Sequence, residues 1–66
     1  MTGRYEMTEG THNKFWDLRK TKNGYEATWG KIGNKEAGPK VYDESEALKV
    51  VNAKLKKGYQ LVEAHR

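Results

Sequence analysis

An α+β fold, a small antiparallel sheet of about four to five strands with one amphipathic helix packed across it, is what this sequence predicts. Three observations predict it. Residues 14–33 place strand-forming side chains on both sides of Asn23-Gly24, a strong local hairpin signal. Residues 44–57 repeat apolar side chains at helical spacing between an acidic start and a lysine-rich end. The short segments "RYEMT" and "GPKVYD" lie outside these two and suit further strands.

Taken in order, "RYEMT" alternates Tyr5 and Met7 with charged neighbours, as a half-buried strand does, and "EGTHN" supplies turn residues. The hairpin from about Lys14 to Gly33 follows, with Asn23-Gly24 as a type I′ loop in which both central residues need positive φ. In "GPKVYD" the strand has Pro39 at its beginning, where a missing donor matters least. "DESEALKVVNAKLKKG" carries the marks of a helix. Asp43 can accept from the free donors of the first turn, Glu46 can reach back as in a capping box, and Gly58 suits the left-handed residue after the last turn. Leu48, Val51 and Leu55 fall on one face with help from Ala47 and Val50, while Lys49, Lys54, Lys56 and Lys57 point outward. "YQLVEA" is a last strand or an extended tail, and the seven aromatics supply most of the core.

Length sets the scale. A chain of 66 residues is one domain, 1–66, that buries only about 60% of the surface its unfolded form exposes. A deep catalytic pocket has little room. No cysteine is present, so neither a disulfide framework nor a thiolate metal site holds the fold, which favours an intracellular, cytoplasmic home. The first ten residues lack the apolar run of a signal peptide, and no stretch approaches membrane-spanning length, so the protein is expected to begin at its own Met1 and to avoid membranes.

The net charge of +4 is localised. Lys14, Arg19, Lys20, Lys22, Lys31, Lys35 and Lys40 outnumber Asp17, Glu26 and Glu36 by four between residues 14 and 40, whereas the flanking segments nearly cancel. Charge alone is accounted for by a solvated surface that keeps a small protein soluble.

Residues for catalysis are sparse. Ser45, the only serine, lies in the first helical turn, where local capping explains it better than nucleophilic chemistry. His12 and His65 have no cysteine to complete a zinc set. Gly33 and Gly38 in "GNKEAGPK" have P-loop spacing, but Pro39 stands where the lysine belongs and no helix begins there, so these glycines suit a turn. No catalytic residue, metal or cofactor is expected.

The stretch "TWGKIGNKEAG" asks a sharper question. With Asn23-Gly24 as a two-residue loop, Leu18 faces Trp29 and Trp16 faces Lys31 on one side of the ribbon, and Phe15 faces Ile32 and Arg19 faces Thr28 on the other. Trp29 is then either a core residue beside Leu18 and Ala27 or an exposed ring beside Lys31, able to stack on a sugar or base. A bulge at Gly30 would re-aim the side chains beyond it.

"EGTHNKFWDL", "ATWGKIGNKEAG" and "SEALKVVNAKLKKGY" together resemble the WGR domain, named for a Trp-Gly-Arg triplet and found in DNA-dependent poly(ADP-ribose) polymerases and in small bacterial proteins. The resemblance runs from Arg4 to about Glu63, and the stand-alone bacterial type is the nearer in "NKFW" and "KLKKGY". It implies a sheet crossed by one helix that binds DNA at strand breaks, near the phosphate and sugar of a 5′ end. Trp29 and Gly30 match the triplet's first two residues, Lys31 replaces its arginine, and Asn13, Phe15 and Trp16 match an asparagine and paired aromatics. Lysine keeps the charge and loses the planar fork that grips phosphate in two places. The polymerase catalytic region is a separate domain too large for this chain.

The expectation is therefore a non-catalytic, monomeric nucleic-acid-binding module, for DNA more than RNA, with a preference for ends or nicks; in a bacterium it would be nucleoid-associated. The contact set is Asn13, Lys14, Arg19, Trp29, Gly30, Lys31, Lys35 and Lys40. The competing expectation is a protein-interaction adaptor that docks an acidic partner.

Overall fold

The computed structural model describes Met1–Arg66. The chain runs through β1 (Gly3–Met7), β2 (Lys14–Thr21), β3 (Gly24–Lys31), β4 (Ala37–Tyr42), α1 (Glu44–Lys57) and β5 (Gln60–Ala64). Every strand pairing is antiparallel, and the five strands form one sheet in the order β4-β3-β2-β1-β5. The fold is α+β as expected, and "YQLVEA" is a strand, not a tail. Because β4 and β5 occupy opposite edges, α1 must carry the chain over the whole sheet. Four strand spacings are about 19 Å, and its 14 residues reach about 21 Å. The length of α1 is matched to the width it crosses. No helix is long and apolar enough to cross a membrane.

The local signals around α1 behave as expected. Asp43 Oδ1 accepts from the Glu46 backbone N–H at 2.8 Å and Glu46 Oε1 accepts from the Asp43 N–H at 3.4 Å, a complete capping box. At the other end Gly58 adopts φ 104°, its N–H donates to Leu55 O and the Tyr59 N–H donates to Lys54 O, both at 3.1 Å. That pair of bonds is a Schellman motif.

The face that α1 buries differs from expectation. Ala47 and Val51 are buried and Val50 and Lys54 half-buried, whereas Leu48 and Leu55 stay 51% and 47% exposed. Positions 47, 50, 51 and 54 form one i, i+3, i+4, i+7 stripe, and each step along a helix turns about 100°. Leu48 and Leu55 are thus on its flank, and Lys54, expected to point outward, faces the sheet. A small alanine and valines let α1 approach the aromatic residues beneath it, where Tyr5, Trp16, Leu18, Ala27 and Tyr59 complete the core.

The hairpin also differs. β2 and β3 pair without interruption from Lys14↔Lys31 to Thr21↔Gly24, leaving Lys22-Asn23 as the loop instead of Asn23-Gly24. Gly24 alone takes positive φ there, 124°, so the turn is not type I′. The reason is local. Thr21 Oγ1 accepts from the Asn23 N–H at 3.1 Å, and Glu26 Oε2 accepts from Thr21 Oγ1 at 2.9 Å and Asn23 Nδ2 at 3.1 Å. These bonds hold Asn23 outside the left-handed region, where only glycine is free of strain. The expected register thus slips by two residues, and Trp16 faces Trp29, Leu18 faces Ala27, Phe15 faces Gly30 and Arg19 faces Glu26. An even slip keeps every side chain on its expected side. No bulge interrupts the β2–β3 ladder at Gly30; the irregularity lies between β3 and β4, and Pro39 sits inside that edge strand instead of beginning it.

Candidate nucleic-acid interface

Strand alternation gives the sheet two chemically different faces. On the side away from α1, Asp17 is buried at 7% exposure and is met by His65 Nε2 at 3.0 Å and Arg19 Nε at 3.3 Å. Arg4 pairs with Glu6 at 2.7 Å and covers the Phe15 ring at 4.4 Å. Both arginines on this face are thus paired with carboxylates. These three contacts are the only ones between a basic side chain and a carboxylate, and none includes a lysine.

The helix side is the reverse. Between the sheet and the C-terminal half of α1 lies an open cleft of about 300 Å³ lined by Lys14, Phe15, Trp29, Gly30, Lys31, Lys54 and Tyr59. The Lys14↔Lys31 pair, at the open end of the hairpin, sets two lysines opposite each other from positions far apart in sequence, and both line the cleft. Lys54 reaches the same cleft from α1 because it belongs to the buried stripe, and its Nζ lies 5.0 Å from the centre of the Tyr59 ring. Burial holds the Lys54 ammonium below the usual lysine range, and the like charges of Lys57 and Lys14 push it further in the same direction. An anion placed here would relieve that repulsion.

Trp29 takes neither extreme. It is half-buried, packs against the core cluster across from Trp16, and still lines the cleft. Gly30 has a steric reason for lacking a side chain, since a Cβ would come within 3.2 Å of Lys35 O and 3.5 Å of the Phe15 ring.

Of the eight residues named from sequence, the cleft gathers Lys14, Trp29, Gly30 and Lys31. Lys40 lines a neighbouring cleft that shares Trp29 and Lys54 with the first. Asn13 and Lys35 are exposed in the segments flanking the ribbon, where the Asn13 carbonyl accepts from the Ile32 N–H at 2.9 Å. Arg19 lies on the opposite face, turned to Asp17. Sequence reasoning missed Lys54 and Tyr59. Periodicity anchored on Ala47 and Val51 instead of the leucines would have found Lys54, because 47, 51 and 54 share a stripe.

No set of three or more histidine, cysteine or acidic side chains converges to hold a metal ion. Comparisons with protein-family models, curated proteins and solved structures return no match.

Proposed function

We propose that this chain is a non-catalytic nucleic-acid-binding module that takes DNA at ends or nicks, a small WGR-type domain in which Lys31 stands for the triplet's arginine. The supporting observation is the convergence of Lys14, Lys31 and Lys54, unpaired with any carboxylate, around the accessible part of Trp29. Three point charges suit phosphate oxygens, which fix position without reading sequence. The indole suits a sugar or base face at the same place. The order of "NKFW", "TWGK" and "KLKKGY" along the chain supports the same conclusion.

The test is binding to short labelled duplexes with blunt, nicked and 5′-phosphorylated ends, titrated over salt. Affinity should fall with a log–log slope of about −0.9 for each phosphate neutralised. Lys31→Ala should weaken binding to all sequences alike and reduce the slope by about one phosphate's worth, and Lys31→Arg should hold or improve affinity. Absence of binding to any duplex or single strand at low salt would favour the adaptor instead. That second role draws on one specific observation, the exposure of Leu48 and Leu55 beside Lys49 and Lys56.

A further inference from the structure

The central cleft has neighbours on both sides. Toward β4 lies a cleft of about 230 Å³ that includes Lys40, Tyr42 and Val50 and shares Trp29 and Lys54 with it. Toward the β1–β2 connection lies one of about 530 Å³ that includes His12, Lys57 and one carboxylate, Glu9, and shares Lys14, Lys54 and Tyr59. The three clefts adjoin one another along the crevice between α1 and the sheet through these shared residues, and Lys54 lines all three. Lysines stand at both ends as well as at the centre. Lys40 and Lys57 are exposed, and neither forms an ion pair.

A duplex end meets a protein as a broad plate of paired bases, and the bases behind it are stacked on one another. An unpaired strand fits a crevice walled by a helix on one side better than either, because its bases are free to leave the stack and its phosphates can follow a line of cations. Trp29, which lines both the central and the β4-side clefts, is placed to stack a base between phosphates held on either side.

We infer that the groove from Lys40 past Trp29 and Lys54 to Lys57 carries an unpaired nucleic-acid strand of about three to four nucleotides, near the low end for small strand-binding modules. This rests on the proposed DNA-binding function and sharpens it. The preferred ligand is an end with an overhang, a gap or a frayed strand. The Trp-Gly-Lys segment is the middle of a path, not the whole contact.

The experiment compares fluorescein-labelled hairpin duplexes that end blunt, in a four-nucleotide 5′ overhang or in a four-nucleotide 3′ overhang, with deoxy- and ribonucleotide versions of each overhang. The expected result is an overhang bound on the order of tenfold more tightly than the blunt end, the worth of one stacked base. Lys40→Ala and Lys57→Ala should each shrink that ratio by roughly threefold or more while circular dichroism shows the fold retained. A ribose preference would identify the strand as RNA and a deoxyribose preference as DNA, and either supports the groove. Overhang and blunt end bound equally well would overturn the groove and leave end binding standing. A preference for overhangs that survives both substitutions would also overturn it, because the strand would then run elsewhere. No binding to any probe would remove the proposed function and the groove together.

Discussion

Trp29 joins the core to the cleft, and a single substitution should register in both. Because the ring is only half-buried, Trp29→Ala is expected to cost about 2 kcal/mol of stability, less than the roughly 3–5 kcal/mol of a fully buried aromatic. The folded variant should also lose about 1–3 kcal/mol of DNA affinity. Urea unfolding and a binding titration on the same preparation separate the two effects, and a loss confined to stability would make the indole scaffold alone. Lys54 offers a pH test. Its ammonium is disfavoured in the folded protein by burial and by Lys57 and Lys14, so the folded chain releases that proton at lower pH than the unfolded chain does. Between the two pKa values the unfolded state binds more protons, so this group's contribution to stability rises with pH. Binding runs the other way. A phosphate prefers the ammonium form, so affinity should fall as pH rises through the lowered value. In Lys54→Arg, which stays charged, this extra fall should vanish.

Element by element, the chain shows which local signals survive folding and which are overridden. The limits of α1 were legible because Asp43, Glu46 and Gly58 act on backbone groups within a few residues of themselves. The face of α1 was less legible, because leucine is more hydrophobic than alanine and a count of apolar residues favours Leu48 and Leu55. Close approach to a layer rich in tyrosine and tryptophan favours small side chains instead. Val51→Ala should therefore cost about 2 kcal/mol in urea unfolding, and Leu55→Ala less than about 1 kcal/mol because half of its surface is already wet. The reverse order would place the buried stripe on the leucines. The hairpin carries a similar lesson. Asn23-Gly24 marked the presence of a hairpin but not its loop, which is Lys22-Asn23, held by the side chains of Thr21 and Glu26.

At the scale of the whole molecule, the positive charge is sorted by face as well as by segment. Arginine pairs with acid on the open side of the sheet, and lysine stands free on the helix side. Arg19, a candidate contact by sequence, should accordingly matter little. Arg19→Ala is expected to leave DNA affinity within about twofold, whereas Lys54→Ala, at the centre of the groove, should lower it by about 1 kcal/mol or more and reduce the salt slope. Equal losses would mean that DNA wraps both faces. The sequence by itself determined the fold class, the helix limits, the hairpin and the pairing of Trp29 with Lys31 on one side of the ribbon. All of these depend on capping, turn chemistry and a period of two, interactions that act over a few residues. Only the tertiary structure decided the register of the hairpin, the buried stripe of α1 and the entry of Lys54 and Tyr59 into the cleft. Those depend on how closely a helix can approach a sheet, which is a property of two surfaces in contact and is written in neither one alone.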